Sequence, residues 1–320
     1  MPEGCPTMNR AMDLAVIFSD RNECTRANPI HIEVGEGAHA MVGVAVNGYG
    51  GLHTHVSCSN ITITGKGKGK TTILGGFFVN GKQNVKIEQL SATNHGFGML
   101  CEGSGANADL TECCFKQCRF SGMAVSSNGA TVTATRCDFM ENDQYGVACF
   151  GANAKVRMHD STMHHNGEDG LFGGDHAVVD LHGTNTNIHA NKGDGVCAIS
   201  NAKVNIHLPA QHNTSHDNGK ENRVQSFGGS IANINADGTL RMWKKSTTTT
   251  TMIIEERILW QEERWLCWCV GPGVVGLMVL IGTCLAAMVV YSSKIGPMLR
   301  VVRRAGGIGH VNATCLSGAV

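Results

Sequence analysis

The stretch Phe139-Met140-Glu141-Asn142-Asp143-Gln144-Tyr145-Gly146-Val147 decides the fold of this chain. It contains a large apolar residue, an Asn three positions later, and a Gly that opens a short apolar run. The pattern recurs about every 24 residues on both sides, and a fixed period of this size predicts a solenoid of stacked units. The repeated glycines are Gly98, Gly122, Gly146, Gly170 and Gly195.

Each unit consists of three strand-like pieces. The first alternates apolar and polar residues, as in Val156-Arg157-Met158-His159, which predicts a strand with one buried face. The second is anchored by one large apolar residue, namely Phe115, Phe139, Met163 or Ile188, and the third follows the Gly. The turn between them carries Asn94, Asn142, Asn166 or Asn191, with Cys118 in the remaining unit. Stacked Asn residues in equivalent turns predict a side-chain ladder.

This composition excludes helical repeats, because the units are rich in Gly, Asn and Thr and lack an apolar i, i+3, i+4 spacing. Coils of three short parallel strands, stacked about 4.8 Å apart, remain. The apolar-x-x-Asn-x-x-x-Gly-apolar repeats resemble those of right-handed parallel β-helix proteins of the pectate-lyase-like superfold. The resemblance implies an all-β, right-handed parallel β-helix. It leaves function open, because similar repeats occur in copper-centre maturation proteins, alginate epimerases and F-box substrate receptors.

Six segments are predicted along the chain. They are an N-terminal cap (1–28), the β-helix (29–240), a Thr-rich linker (241–251), an amphipathic juxtamembrane helix (252–269), a transmembrane helix (270–292) and a basic tail (293–320). Residues 270–292 contain no charged side chain, and their length suffices to span a bilayer. The interfacial aromatics expected of such a span are Trp260, Trp265, Trp268 and Tyr291.

Two signals disagree on the side of the membrane that the β-helix occupies. Basic residues directly after the span favour a cytosolic tail and a β-helix outside, and these are Lys294, Arg300, Arg303 and Arg304. The lack of a signal-peptide pattern and the short tail favour a tail anchor with the β-helix in the cytosol. We favour the outside placement by a narrow margin. The glycosylation acceptors that would report the orientation are Asn60, Asn213 and Asn312.

Charge and cysteine spacing exclude two further classes of function. The formal net charge is zero, so no basic surface argues for a nucleic-acid partner. The 14 cysteines show no spacing typical of a zinc ribbon or knuckle. Cys113 and Cys137 occupy neighbouring coils, and a single disulfide between them is one alternative to free thiols.

Three histidines are candidate ligand-binding residues. His159, His182 and His207 occupy one outward column in successive coils. At about 4.8 Å spacing, three imidazoles either hold a transition metal together or line a groove that hydrogen-bonds sugar hydroxyls. Chance alignment is the third interpretation, because the chain contains 15 His.

Asp169 and Asp194 are the candidate catalytic residues, since each precedes a repeat Gly and the two are neighbours along the stack. Adjacent carboxylates bind a cation such as Ca²⁺ or raise the pKa of one partner, and uronate lyases and epimerases use both effects. An ordinary role in the turn is the alternative. The Asp-Pro-His-Asp motif of alginate epimerases is missing, although His216-Asp217 matches its second half.

The outward side of the third strand is unexpectedly apolar, with Leu100, Ala124, Ala148, Phe172 and Cys197, and we expect a loop of the chain or a partner to cover it. The sequence thus predicts a membrane-tethered β-helix that binds an extended ligand, a glycan, on its outer surface. The alternatives are a polysaccharide lyase, hydrolase or epimerase, and a cytosol-facing scaffold that recognises proteins. No cofactor is established by the sequence; Ca²⁺ or a transition metal fits the candidate residues.

Overall fold

The computed structural model describes residues 8–20, 24–40, 44–45, 51–126, 129–207, 214–235 and 237–242. Within these ranges the chain forms one helix, α1 (Met8–Asp20), followed by strands. In chain order these are β1 (Ile30–Glu33), β2 (Gly37–Ala40), β3 (Val44–Ala45), β4 (Leu52–His55), β5 (Ile61–Thr64), β6 (Thr71–Leu74), β7 (Gly76–Asn80), β8 (Val85–Glu88), β9 (Ser91–Thr93), β10 (Met99–Glu102), β11 (Asn107–Thr111), β12 (Cys114–Lys116), β13 (Met123–Ser126), β14 (Thr131–Thr135), β15 (Asp138–Met140), β16 (Val147–Phe150), β17 (Lys155–His159), β18 (Thr162–His164), β19 (Leu171–Gly174), β20 (Val178–His182), β21 (Asn187–His189), β22 (Val196–Ala198), β23 (Lys203–Ile206), β24 (Ser215–His216), β25 (Arg223–Gln225), β26 (Ser230–Ile234) and β27 (Leu240–Met242).

Successive strands go to three different sheets, so each coil adds one strand to each sheet. Sheet A has the order β1-β5-β8-β11-β14-β17-β20-β23-β26-β27, sheet B the order β2-β6-β9-β12-β15-β18-β21-β24, and sheet C the order β25-β22-β19-β16-β13-β10-β7-β4-β3. Neighbouring strands from successive coils are parallel, and antiparallel pairs occur only at the described ends, β3 with β4 and β26 with β27. The predicted all-β parallel β-helix is confirmed.

The core is a stack of identical or similar apolar side chains. In β17, Val156 and Met158 are fully buried while Lys155 and Arg157 are exposed, as the alternating pattern predicts. Sheet B contributes the single anchors, and the rings of Phe115 and Phe139 stack with centroids 5.6 Å apart. The register of the strands places similar residues above one another in successive coils, so one continuous core runs through the coils.

The predicted asparagine ladder is present in the turn between sheets B and C. The Nδ2 of Asn166 donates to the Oδ1 of Asn191 at 2.8 Å, and the Oδ1 of Asn166 accepts from the Nδ2 of Asn142 at 2.9 Å. The same Oδ1 atoms accept backbone N–H groups of the preceding coil. Asn218, which the repeat pattern did not identify, extends the ladder by one coil at 2.9 Å from Asn191.

Gly146 shows why the repeat requires glycine before each strand of sheet C. A Cβ atom there would lie 2.7 Å from the carbonyl oxygen of Gly170 and 2.8 Å from the Nδ2 of Asn166. Both atoms belong to the next coil and are fixed by hydrogen bonds, so neither can move away cheaply. The glycine therefore permits the close approach of the coils and the ladder.

Helix α1 packs against the N-terminal end of the core, where Met12 and Ala15 are buried. The segment from Met12 to Phe18 thus lies where the sequence predicts a cap. Within the residues that the structure describes, no helix combines the length and the apolar character that crossing a membrane requires. The predicted linker, juxtamembrane helix, transmembrane helix and tail lie outside those residues, apart from Arg241 and Met242, which belong to β27.

Candidate functional site

The three predicted ligand-binding histidines form one stack on the outer face of sheet A. His159 ends β17, His182 ends β20 in register with it, and His207 follows β23. The ring centroids of His159 and His182 are 4.7 Å apart and those of His182 and His207 are 4.2 Å apart. All three rings are half-buried, so each keeps one edge open to solvent.

A polar row runs beside this stack, two residues earlier in each strand. The Asp180 carboxylate accepts from the Nδ2 of Asn205 at 2.9 Å and lies 3.9 Å from the Nε of Arg157. It also lies 3.3 Å from the Nε2 of His207, which links the row to the stack. Three coils therefore present donors and acceptors in register on one partly exposed face.

Stacking also sets the charge of the central ring. The pKa of His182 is lowered, chiefly because burial disfavours the charged imidazolium and further because His207 and His159 are like charges when protonated. The Asp180 carboxylate opposes this shift, and the Arg157 guanidinium adds to it. The central imidazole is therefore neutral at neutral pH and offers one donor and one acceptor.

Three stacked rings do not converge on a single ion. Among the described residues, the one trio of His, Cys, Asp or Glu whose ligand atoms all lie within 4.8 Å of one another is Asp169, Asp194 and Cys197. The parallel rings of His159, His182 and His207 instead point the same way in successive coils. The shared metal and the groove for hydroxyl groups that the sequence suggested for this column both remain predictions.

A second histidine stack, on sheet B, escaped the sequence analysis. The rings of His164 and His189 are 5.1 Å apart, and those of His189 and His216 are 5.4 Å apart. The spacings in sequence are 25 and 27 residues, and those of the first stack are 23 and 25, so uneven spacing alone does not hide the alignment. The available signal was that His164 and His189 each directly follow an inward anchor, Met163 or Ile188.

The two candidate catalytic carboxylates lie close together, and each accepts a hydrogen bond from a backbone N–H group in a turn of the next coil. The Oδ1 of Asp169 accepts the backbone N–H of Asp194 at 2.6 Å, and the Oδ1 of Asp194 accepts the N–H of Glu221 at 2.9 Å. Only 3% of Asp169 and 1% of Asp194 is exposed. These contacts form a carboxylate ladder across the coils, and Glu221 occupies the equivalent position in the next coil.

Tyr145 occupies the same column one coil earlier. Its ring stacks on Phe172 with centroids 5.0 Å apart, and its hydroxyl forms a hydrogen bond with Glu168. Burial raises the pKa of the Tyr145 hydroxyl well above its usual range, and the nearby carboxylates of Glu168 and Asp169 add to the effect. The phenol therefore stays protonated at neutral pH.

The outward apolar residues of sheet C are all buried, as the expectation of a covering element requires. Their exposed fractions are 2% for Leu100, 0% for Ala124, 1% for Ala148, 2% for Phe172 and 5% for Cys197. The loop of the chain that could cover them is the stretch after Pro209, which lies outside the described residues up to residue 213.

The remaining predicted site residues are placed as follows. Cys113 and Cys137 are buried free thiols in neighbouring coils, within hydrogen-bonding reach of each other, so the alternative of a disulfide is not realised in this structure. Asn60 lies in the turn before β5 with φ of 56°, and its Oδ1 accepts from Asn84 at 2.8 Å. Asn213 and Asn312 lie outside the described residues.

A family model supports this architecture. The family model described as "Right handed beta helix region" matches residues 75–240. No curated protein matches the chain significantly. Two solved structures are similar at 12% identity and a TM-score of 0.30, both A-modules of mannuronan C-5 epimerases from Azotobacter vinelandii. The AlgE4 module aligns over 72% of this chain and 96% of its own length, and the AlgE6 module over 73% and 91%. Similarity this low carries no argument about activity.

Proposed function

The chain belongs to the right-handed β-helix family, and on that premise we propose that it binds an extended glycan along the outer face of sheet A. The observation that carries the proposal is the in-register polar row of Arg157, Asp180 and Asn205 beside the histidine stack. We name this surface, with His159, His182 and His207, the polar face.

The chemistry of the polar face suits hydroxyl groups. A hydroxyl is both donor and acceptor, and the row offers a guanidinium that only donates, a carboxylate that only accepts, and an amide that does both. Equivalent positions recur about every 4.8 Å along the solenoid. A polymer lying parallel to the axis therefore meets similar groups at each coil, which favours an extended ligand over a compact one.

Isothermal titration of the full-length chain with oligosaccharides of increasing length, neutral and uronate-containing, tests this proposal. We expect affinity to rise with length until the ligand spans the three coils of β17, β20 and β23. Replacing Asn205 by Ala removes a group that both donates and accepts, and should weaken binding by about tenfold, the equivalent of roughly 1.4 kcal/mol.

Asp109→Ala is the matched control, because Asp109 is an exposed residue in the same row, two coils before Arg157. Binding that is insensitive to Asn205→Ala, or that Asp109→Ala weakens equally, would remove the polar face as the binding surface. If no glycan binds, the alternative of a protein-recognition scaffold gains support.

A polysaccharide lyase, hydrolase or epimerase is the alternative that uses Asp169 and Asp194. Their burial and their backbone hydrogen bonds favour a structural role over contact with a polymer. Incubation of the chain with uronate polymers distinguishes the two functions by the appearance of unsaturated products or of epimerised residues. Turnover that Asp169→Asn abolishes without loss of thermal stability would establish the enzyme.

We also propose that residues 270–292 tether the β-helix to a membrane, with the β-helix outside. Expression in a glycosylating membrane system tests the orientation through the acceptors Asn60, Asn213 and Asn312. A mass shift lost in Asn60→Gln or Asn213→Gln supports the outside placement. A shift lost only in Asn312→Gln would place the β-helix in the cytosol.

A further inference from the structure

Two histidine side chains meet where β18 ends. His164 is the last residue of β18, and His165 follows it in the left-handed region with φ of 58°. This backbone conformation turns the second ring back toward the first, so their Nδ1 atoms lie 2.8 Å apart. The rings are nearly perpendicular, at 83°, and His165 is exposed to solvent.

A third imidazole lies within reach of this pair. The ring centroid of His189 is 5.1 Å from that of His164 and 6.0 Å from that of His165. The next histidine of the stack is engaged elsewhere, because the Nδ1 of His216 lies 2.8 Å from the carboxylate of Asp217. In the structure the ligand atoms of the three rings do not all lie within 4.8 Å of one another, so the half-buried His189 ring must rotate to add a third nitrogen to the pair.

We propose that His164 and His165 bind a late divalent transition metal, Cu(II) or Ni(II), through their Nδ1 atoms, with His189 as the third ligand. The remaining positions of the metal are open to water. This site is separate from the trio of Asp169, Asp194 and Cys197, which is buried, and from the polar face on sheet A.

The two Nδ1 atoms are hydrogen-bonded to each other in the structure, so metal binding requires the proton between them to move to an Nε2 atom, and their separation then selects the kind of metal. With metal–nitrogen bonds of about 2.0 Å, atoms 2.8 Å apart subtend about 90° at the ion. That angle is the cis angle of a square-planar or tetragonal site, which Cu(II) and Ni(II) prefer. A tetrahedral ion would need the two atoms to be about 3.3 Å apart.

The surroundings of the pair suit a cation. Asp138 and Glu141 lie close enough to His164 to act on it electrostatically, although Asp138 also pairs with Lys68 and Glu141 accepts from Gln117.

Calorimetry tests the site, using the full-length chain stripped with a chelator and titrated with CuCl₂ or NiCl₂. We expect one metal ion to bind per chain, and we expect the affinity to fall by more than about tenfold in either His164→Ala or His165→Asn. Asn tolerates the left-handed conformation at position 165 and so keeps the turn. Electron paramagnetic resonance of the Cu(II) form should show fewer coordinating nitrogens in each variant and in His189→Ala.

Two controls keep the test specific. His176→Asn removes another exposed histidine that lies after a strand in the left-handed conformation, which Asn tolerates, and it should leave the affinity unchanged. A triple alanine variant of His159, His182 and His207 should also leave it unchanged. The proposal is overturned if the chain binds neither metal at about 100 μM, if the His164 and His165 variants bind normally, or if the triple variant loses the site. Unchanged thermal unfolding of the metal-free variants excludes misfolding as the cause.

Discussion

The imidazole rings of His182 and His207 stack with their centroids 4.2 Å apart and their planes 13° from parallel. Protonation of both would place two like charges in contact, and the same holds for His164 with His189 on sheet B. Burial is the larger cause of the lowered pKa of His164, His182 and His189, and the neighbouring histidines add to it.

Acidification is therefore predicted to destabilise the β-helix. A histidine whose pKa is lower in the folded state than in the unfolded chain contributes stability that is complete above the unfolded value, about 6.5, and is lost as the pH falls below it. We expect the melting temperature to be constant from about pH 8 to pH 7 and to fall from there to pH 5. Thermal unfolding followed by circular dichroism measures this.

Replacing the three residues by Gln, which cannot be protonated, removes their share of the pH dependence. The variant His164→Gln, His182→Gln, His189→Gln should lose part of the decrease in melting temperature between pH 7 and pH 5, and the remainder belongs to groups such as His53, whose pKa burial lowers to about 4. His176→Gln, outside both stacks, serves as the control. An unaltered pH profile in the triple variant would mean that other groups cause the acid sensitivity.

The sequence predicted the fold well because a stacked coil repeats the same physical requirement at the same position. Gly146 and Asn166 are needed for close approach and for the ladder, and their equivalents recur in register in the other coils. The stack of His164 and His189 was missed because the coils before it carry Lys116 and Met140 at the same position, so no repeated residue marks that column. Turn length has no effect on the register of the strands, so hydrogen bonding aligns residues that a strict period separates.

Removal of one asparagine from the ladder is predicted to lower the free energy of unfolding of the β-helix substantially. Asn166 is fully buried, accepts the N–H of Asn142, and donates to the carbonyl oxygen of Phe139 at 3.1 Å. Asn166→Ala leaves buried polar groups without these partners, and we expect a loss of about 3 kcal/mol in the free energy of unfolding. Denaturant titration measures the loss.

Asn185→Ala is the control for this substitution. Asn185 is exposed, and the contact recorded for it is made by its backbone N–H, which donates to Asp160 and survives in Ala. We expect a change within about 0.5 kcal/mol. Equal effects of the two substitutions would show that the ladder contributes nothing specific.

A charged substitution is predicted to destabilise the protein on the buried face of β17 and to have little effect on its exposed face. Val156 is fully buried, whereas its neighbour Lys155 is exposed. Val156→Asp buries a carboxylate without a partner and should cost at least about 3 kcal/mol or prevent folding. Lys155→Asp should be nearly silent in the same denaturant titration. Comparable losses from both would mean that the inward and outward assignments of the strand are wrong.

The site was harder to predict than the fold, because function depends on side-chain contacts that no period encodes. Asp169 and Asp194 were correctly expected to be neighbours. Their backbone donors became evident only from the turn geometry, in which each carboxylate accepts an N–H from the next coil. The same holds for His165, whose left-handed backbone brings it to His164.

Thiol reactivity provides the last prediction, because the cysteines of the core are both buried and held as thiols. Burial raises the pKa of Cys101 and Cys118 to about 12 and that of Cys114 to about 11. The reactive thiolate is therefore scarce, and access is blocked as well.

Alkylation with iodoacetamide near pH 8 should modify these residues only as fast as the β-helix unfolds. Among the cysteines that the structure describes, Cys24, which is only half-buried, should react first. Peptide mass spectrometry over a denaturant series measures both rates, and Val156→Asp, where it folds, should accelerate labelling of the core cysteines while leaving Cys24 unchanged. Rapid labelling of Cys101 in the native protein would contradict the continuous core.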